Sequence, residues 1–295
     1  MTFDEIEAFV CIAEVGGYTE AARRLDRSQP AISRRIHELE RALDATLFER
    51  VGRRMVLTDA GRALLPHAEA ALAAIRDGER AVRDRSAAAL PLRLAIVGTL
   101  ADSHIVDALR AFTAKSTLTV DLRTATSREV SALVRSGEAD LGLRYRADAT
   151  LESIPLGEEK LYVVVPATHR ITAAELPDLG PLRDEKWLGF PSERGRPESF
   201  RTLLERQLVN PSITAVDSLT AQKRLVEAGL GIAFMPISNI REEVRIGSLR
   251  VIDVPSMNAR VPVFAVRRPG GHHSQAATDF LRVLAEHTPD LLAQN

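Results

Sequence analysis

The sequence is poor in cysteine, lysine and aromatic residues. Cys11 is the only cysteine among 295 residues, and 4% of the residues are aromatic. A single thiol excludes an internal disulfide, redox sensing through two thiols and a zinc site built on several thiolates. Because Cys11 lies in an apolar run, we expect it in the core. Only four of the 39 basic residues are lysine, so arginine is common throughout and a lone arginine is weak evidence for a binding site.

The chain also lacks an excess of one charge and a long apolar run. Basic and acidic residues number 39 and 40 and leave a net charge of -1, so any nucleic-acid site must be local. No window approaches the ~20 consecutive apolar residues of a membrane-spanning helix. Residues 1–5 are acidic where a secretory leader would be basic. We therefore expect a cytoplasmic protein without a membrane contact.

What is present indicates two domains joined by a connector. With 45% apolar residues the chain is long enough to bury a core, which excludes wholesale disorder. Residues 1–58 carry short helical patterns rich in arginine, residues 59–88 form one stretch rich in alanine and leucine, and residues 89–295 alternate strand and helix patterns. The last segment is therefore predicted to be α/β.

Three short helices are predicted in the first segment. Apolar residues at helical spacing end at the glycine pair 16–17, which suits a helix terminus. Thr19 is the expected cap of a second helix. Ser28 is the expected cap of a third, which has Pro30 in its first turn, where the missing donor costs nothing, and spans Gln29 to about Ala42.

The third helix presents a polar, cationic face. Gln29, Ser33 and Arg34 share that face with His37 and Arg41. The second and third predicted helices are joined by a tight turn. In a helix-turn-helix that binds the DNA major groove, amide and guanidinium groups at the start of the later helix pair with base edges. The alternative is an ordinary solvated helix face.

The residues that follow favour the DNA-binding interpretation. Arg53 and Arg54 lie on a glycine turn between two short β-prone runs, an arrangement that suits a wing gripping phosphate. Nine arginines against five acids between positions 23 and 54 give a local excess of four positive charges. Attraction to phosphate should therefore be local and sensitive to salt.

Residues 1–58 resemble the winged helix-turn-helix of the LysR-type transcriptional regulators. The residues that carry the resemblance are Ala21, Ala22, Leu25, Ser28 to Ser33, Ile36, Leu39, Glu40, Leu43, Leu47 to Arg50 and Leu57 to Gly61. The resemblance implies a DNA-binding set of Ser28, Gln29, Pro30, Ser33, Arg34, Arg53, Arg54 and Thr58. Gln29, Pro30, Ser33 and Arg34 would lie near base edges or adjacent phosphates, and Arg53, Arg54 and Thr58 would meet the backbone. Gln29 is the expected direct reader, since an amide forms two hydrogen bonds with an adenine edge.

Residues 59–88 are predicted to be a linker and dimerisation helix, with Thr58 as its cap. Its apolar stripe has roughly coiled-coil spacing, and Pro66 should kink it. The stripe runs through Leu57, Ala60, Leu64, Ala68, Ala71, Leu72, Ile75, Ala81 and Val82. The resembling family dimerises through this segment, which implies a homodimer or homotetramer on an interrupted inverted repeat. The alternative is that the stripe packs on its own chain.

The third segment resembles the two-lobed effector domain of the same family, itself similar in shape to periplasmic binding proteins. The expected fold is thus an N-terminal all-α winged helix-turn-helix plus linker helix, then a C-terminal α/β two-lobed, periplasmic-binding-protein-like effector domain. Lobe I is predicted at about 89–162 and 266–295 and lobe II at about 163–265, with a strand over 261–266 returning to lobe I. Two crossings between lobes make a hinged cleft.

The cleft is expected beyond the carboxyl ends of the strands, where helix N-termini offer free backbone donors. The expected effector-binding residues are Thr99, Ser127, Arg144, Tyr145, Ser192, Ser199 and Phe200. Residues 190–200 resemble the loop of family members that sense aromatic-derived carboxylates, although Glu198 departs from that pattern. Hydroxyls with one cation and one aromatic ring suit a small carboxylate bearing an apolar body. The alternative is that each is a helix cap or surface side chain.

No motif for catalysis, a cofactor or a metal is found. None of the seven histidines is spaced from another histidine or from the cysteine as a metal site requires, and neither a phosphate loop nor a Gly-x-Ser-x-Gly elbow is present. The sequence therefore predicts a regulator rather than an enzyme, with double-stranded DNA, copies of itself and a small effector as partners and RNA polymerase as a further candidate. The alternative function is a transport solute-binding protein, which would need a leader and would have no use for residues 1–58.

Overall fold

A computed structural model gives the structure of most of the chain. The described residues are 1–52, 54–84, 91–101, 103–115, 119–191, 200–271 and 274–287. None of the described helices is both long and apolar enough to span a membrane.

The first segment is a three-helix unit with a β-hairpin. Its elements are α1 (Phe3–Val15), α2 (Tyr18–Arg24), α3 (Gln29–Leu43), β1 (Phe48–Val51) and β2 (Arg54–Leu57). Thr2 and Glu5 form a capping box at the start of α1, and Gly16 ends it at a φ of 76°. The Ser28 hydroxyl accepts from the Ala31 N–H and caps α3 as predicted. Thr19, the predicted cap of the second helix, lies inside α2 instead.

The second segment is one long helix, α4 (Asp59–Asp84). Its 26 residues span ~39 Å at 1.5 Å per residue. Leu64, Ala68 and Leu72 of the predicted stripe pack into the core of the DNA-binding segment, mainly against α1. Ile75 and Val82 of the same stripe are 46% and 72% exposed. The stripe is therefore divided between packing on its own chain and an exposed part.

The third segment alternates strands and helices. Its elements are β3 (Leu92–Val97), α5 (Ser103–Lys115), β4 (Val120–Ala125), α6 (Ser127–Arg135), β5 (Leu141–Tyr145), β6 (Glu152–Pro166), β7 (Lys186–Gly189), α7 (Phe200–Glu205), β8 (Ser212–Ala215), α8 (Leu219–Glu227), β9 (Ile232–Pro236), α9 (Arg241–Ile246), β10 (Leu249–Ile252), β11 (Arg260–Arg267) and α10 (Gln275–His287).

The strands follow the order β4-β3-β5-β11-β6-β9-β7-β8, with β10 on β6. In lobe I, β3 pairs in parallel with β4 and β5, and in lobe II, β7 pairs in parallel with β8 and β9. The long strand β6 pairs with β11 through its first part and with β9 and β10 through its last, so it crosses between the lobes. Residues 263–266 of β11 pair with β5 of lobe I, and these residues lie within the 261–266 range in which a strand is predicted to return to that lobe.

Each lobe has its own aromatic core. Phe112 of α5 and Phe280 of α10 meet edge to face in lobe I, with ring centroids 5.5 Å apart. Trp187 stacks on Phe234 in lobe II at 5.1 Å. Separately packed lobes joined by crossing strands leave a cleft between them.

Candidate functional site

The exposed face of α3 forms a shallow groove. Its lining residues are Gln29, Pro30, Ser33, Arg34, His37, Glu38 and Arg41. Four of the predicted DNA-binding residues are thus brought together, and Ser28 is exposed at the helix start. The groove adds Glu38, which the helical spacing of the predicted set did not single out.

The arginines around this groove differ in their partners. Arg35 binds Asp4 at 2.5 Å and Arg24 binds Glu14 at 2.8 Å, so both point toward the protein. Arg34 and Arg41 are exposed and form no ion pair among the residues described. Two arginines against the one carboxylate of Glu38 leave the groove with an excess of positive charge, and neither arginine is tied to a carboxylate within ion-pair distance among the described residues.

The hairpin beside α3 has the form of a wing. β1 and β2 pair antiparallel, and Gly52 turns at a φ of 63°, a conformation that favours glycine. Arg54 begins β2 and is exposed, whereas Arg53 lies outside the described residues.

Thr58 has a structural role in addition to the predicted backbone contact. Its hydroxyl donates to the Thr46 carbonyl at 2.7 Å and accepts from the Gly61 N–H at 3.1 Å, so it caps α4. A contact between Thr58 and DNA stays a prediction.

The cleft encloses a cavity of about 1210 Å³ between the lobes, with a smaller recess of about 160 Å³. The first turns of two helices face it, α6 from lobe I and α8 from lobe II. Thr126 caps α6 by accepting from the Glu129 N–H, and Ser218 caps α8 by accepting from the Ala221 N–H. The recess is mainly apolar. Its lining residues include Leu161, Leu203, Leu219, Phe234, Met235 and Val261.

Three predicted effector residues line this cleft. Thr99, Ser127 and Tyr145 contribute to its wall, and the Thr99 hydroxyl is 3.0 Å from that of Tyr145. Ser192 and Ser199 lie outside the described residues. Phe200 begins α7, and its side chain is outside the described part.

Arg144 does not line the cleft. Its guanidinium donates to the Ser131 hydroxyl and to the Asp148 carboxylate, each at 2.6 Å. Neighbouring residues of a strand point to opposite faces of the sheet, so Arg144 faces α6 while Tyr145 faces the cleft. Burial would raise the pKa of Asp148, but hydrogen bonds from Ser131 and Thr150 and the charge of Arg144 hold it well below its usual value.

Lobe II supplies cleft residues that the sequence did not identify. They are Asp217, Ser218, Leu219, Thr220, Lys223, Ser238 and Asn239. A signal for them exists, because Ser218 follows β8 and begins α8 just as Thr126 follows β4 and begins α6. Lys223 is the one cation among the described lining residues, and its ammonium is already 2.6 Å from a Glu243 oxygen. Among the residues that the structure describes, no three His, Cys, Asp or Glu side chains are grouped as a metal site would need.

Comparisons with known proteins match both parts of the chain. Residues 3–62 match a family model described as bacterial regulatory helix-turn-helix protein, lysR family, and residues 86–289 match the LysR substrate binding domain. The HTH-type transcriptional regulator TfdS of Cupriavidus pinatubonensis is 34% identical, with 89% of this chain and 91% of TfdS covered. A probable RuBisCO transcriptional regulator of Trichormus variabilis is 28% identical over 98% of this chain and 90% of that protein.

Solved structures resemble the whole chain. CbnR, a LysR family transcriptional regulator, has a TM-score of 0.63 and 26% identity, and covers 98% of this chain and 99% of its own. Full-length CbnR complexed with its target DNA has a TM-score of 0.55 and 26% identity, with 98% of this chain and 100% of that chain covered. These named relatives are regulators of transcription rather than enzymes.

Proposed function

Since the chain belongs to the LysR family of DNA-binding transcriptional regulators, we propose that it binds an inverted-repeat operator as a homo-oligomer and responds to a small molecule in the cleft. The observation that carries the proposal is the groove on α3, where Gln29 adjoins exposed arginines without a carboxylate partner. DNA phosphates would supply the missing negative charge. An operator-binding protein shares a compartment with DNA, so we place it in the cytoplasm.

The proposed division of labour follows the positions of the side chains. Gln29 reads a base edge from the first turn of α3, with Ser28, Pro30, Ser33 and Arg34 beside it. Arg54 holds phosphate from the wing, and the same role is proposed for Arg53 and Thr58. Two copies of α3 on one duplex face would lie ~34–36 Å apart, or a multiple of that distance.

Self-association is proposed through the part of α4 that its own chain leaves uncovered. Ala71, Ile75 and Val82 are exposed on this helix. Burial of such a strip against a second copy removes apolar area from water. A homodimer, or a homotetramer built from two dimers, would then place two α3 helices on one operator.

The effector is proposed to be a small carboxylate with an apolar, aromatic-derived body. The mainly apolar recess beside Phe234 would take the body, and the free backbone N–H groups at the starts of α6 and α8 would bind the anion. Thr99, Ser127 and Tyr145 are proposed to contact it, and Ser192, Ser199 and Phe200 stay predictions. A transport solute-binding role is not favoured, because such a protein would have no use for the DNA-binding segment at 3–62.

The DNA-binding roles are tested by comparing Gln29→Ala with Arg54→Ala. Affinity is measured for an inverted-repeat fragment from upstream of the protein's own gene and for unrelated DNA over a range of salt. Gln29→Ala should weaken specific binding by ~1–3 kcal/mol and leave unrelated DNA almost unaffected. Arg54→Ala should weaken both and lower the salt slope by about 1. Equal losses on all DNA for Gln29→Ala would refute its role as a reader.

The cleft is tested with benzoate as a probe of the proposed class. Benzoate should raise the thermal midpoint of the chain, and Ser127→Ala combined with Ser218→Ala should abolish that shift while operator affinity is kept. An unchanged shift in the double variant would place the site elsewhere.

A further inference from the structure

One face of α4 lies against the effector domain of the same chain. Glu69, Ala73, Arg76, Asp77 and Arg80 recur on successive turns of the helix, and we call them the docking face. Residues three and four apart share one side of a helix, so these five side chains form a continuous strip on the side away from Ile75 and Val82.

Ion pairs and hydrogen bonds hold this face in place. They are Glu69 with Arg135 Nε at 2.8 Å, Arg76 Nη1 with the Ser136 carbonyl at 2.5 Å, Asp77 with Arg268 Nη2 at 2.5 Å and Arg80 with Asp140. The carboxylates of Glu69 and Asp140 are only 7% and 4% exposed. Charge-assisted bonds that are shielded from water are directional, so the set fixes the orientation of α4 on lobe I.

Two small residues let the backbones approach at the middle of this contact. Ala73 is fully buried, and Gly137 of lobe I opposes it at a φ of 72°. A Cβ placed on Gly137 would lie 3.6 Å from the Ala73 Cβ and 2.8 Å from Arg268 Nη1. The Arg268 guanidinium is the end of a flexible side chain and can give way to a Cβ, whereas a branched or aromatic side chain at either position would push the helix off lobe I.

Helix α6 joins this contact to the cleft. Its first residue, Ser127, lines the cleft, and its last residue, Arg135, binds Glu69 of the docking face. The two ends are ~12 Å apart at 1.5 Å per residue. Arg135 Nη1 also lies 3.9 Å from the carboxylate of Asp148, which holds Arg144 on β5. A displacement of the first turn of α6 would therefore move the groups that bind α4.

We propose that the docking face binds the effector domain of its own chain, and that α6 transmits a change in the cleft to the linker helix. Arg135 and Glu69 are then positioning residues that connect the two halves. The inference rests on the proposed function for its biological use, since it needs a cleft that is occupied and a linker helix that orients α3. Its test requires neither DNA nor effector.

The docking is tested with Ala73→Cys and Gly137→Cys in the full chain. Their Cβ separation matches that of natural disulfides, which average ~3.8 Å. We expect a disulfide within one chain, seen as unchanged mass on a non-reducing gel and as loss of two free thiols. Ala73→Cys alone is the control. No disulfide in the folded protein, or one that links two chains, would overturn docking on the same chain.

The transmission is tested by filling the cleft without any effector. Ser127→Trp is added to the cysteine pair, and the disulfide is equilibrated with a glutathione buffer. If the cleft and the docking face are coupled as strongly as allosteric sites usually are, the equilibrium constant for forming the 73–137 disulfide should change about fivefold or more. The matched control is Val209→Trp, because Val209 is 93% exposed on lobe II. An equal constant in the Ser127→Trp and Val209→Trp proteins would overturn the role of α6.

A charge exchange at a different pair covers the case in which the Gly137 variant does not fold. Asp77→Arg and Arg268→Asp should each enlarge the radius of gyration measured by X-ray scattering, since each places like charges together. The double variant should recover the original radius. Single variants that stay as compact as the parent would overturn the docking. Loss of operator binding by Gln29→Ala is read separately, so failure of the proposed function and failure of the docking are distinguishable.

Discussion

Two glycines in α4 should respond oppositely to the same substitution. An alanine inside a helix is ordinarily ~0.8–1.0 kcal/mol more favourable than glycine. A Cβ added to Gly78 would meet no atom within 4 Å, whereas a Cβ on Gly61 would collide with the Leu47 carbonyl oxygen and lie 2.9 Å from Leu57 Cδ2. The collision partner is backbone, so rotation of a side chain cannot relieve it.

The expected magnitudes follow from these contacts. Gly78→Ala should raise the free energy of unfolding by ~1 kcal/mol. Gly61→Ala should add an overpacking cost of ~3 kcal/mol, near the upper end of the usual range, so its net effect is a loss of ~2 kcal/mol. The same clash would push the start of α4 away from the wing, and operator affinity should fall with stability.

Urea unfolding followed by circular dichroism measures both variants. Because Gly78 lies near the exposed strip of α4, the measurement is repeated over a tenfold range of protein concentration; a gain from helix propensity alone does not depend on concentration. Equal stabilisation by Gly61→Ala and Gly78→Ala would refute the close approach of α4 to the wing.

Three further substitutions or measurements test other contacts. Asp140→Ala should lower the free energy of unfolding by about 3–5 kcal/mol, because the buried carboxylate is the ion-pair partner of two arginines. The control, Asp107→Ala in an exposed pair, should lower it by less than ~1 kcal/mol. Similar losses for the two variants in thermal unfolding would contradict the structural role of Asp140. Cys11 should resist a thiol reagent until the protein unfolds, since burial raises the pKa of its thiol to about 11, and rapid labelling of the native protein would disprove it. The depressed pKa of Asp148 contributes stability at neutral pH that is lost as the pH falls below about 4. Asp148→Asn should therefore lose less stability than the parent between pH 7 and pH 3, and parallel profiles would count against that linkage.

Local features of the DNA-binding segment can be predicted closely from the sequence. The third helix is expected to begin at Gln29 and begins there, because Ser28 and Pro30 act within one turn of its start. The glycine pair at 16–17 ends α1 where predicted, since Gly16 takes a left-handed backbone at a φ of 76° without the steric cost of a Cβ. Signals that act over three or four residues need no knowledge of the rest of the chain.

The cleft is only partly predictable. Thr99 and Ser127 follow strand ends, and the ends of parallel strands meet at one edge, so their position can be derived. Ser218 has the same pattern in lobe II and could be found by applying the same rule twice. Proximity in sequence places Arg144 beside Tyr145, but the alternation of side chains along a strand sends the two to opposite faces.

The docking face could not be predicted, because charged residues on a helix ordinarily indicate contact with water. Glu69, Asp77 and Arg80 have the pattern of the solvated side of a linker. Their burial depends on Gly137 and Asp140, which are about sixty residues away in the sequence. It also depends on the close approach of α4 to lobe I, which the spacing of residues within α4 does not predict. Pairing between distant segments is a property of the whole fold rather than of either segment.

The geometry of α4 allows docking and self-association together. At about 100° per residue, the docking face centred on Glu69, Ala73 and Arg80 and the exposed strip of Ala71, Ile75 and Val82 lie about half a turn apart. A second copy can therefore cover the strip without touching the ion pairs with lobe I. Because a helix turns as a rigid unit, any rotation imposed on its docking face by α6 must also rotate the strip. If two copies associate through this strip, its rotation would change the spacing of their α3 helices on DNA. Helix α4 would thereby connect the cleft with the operator.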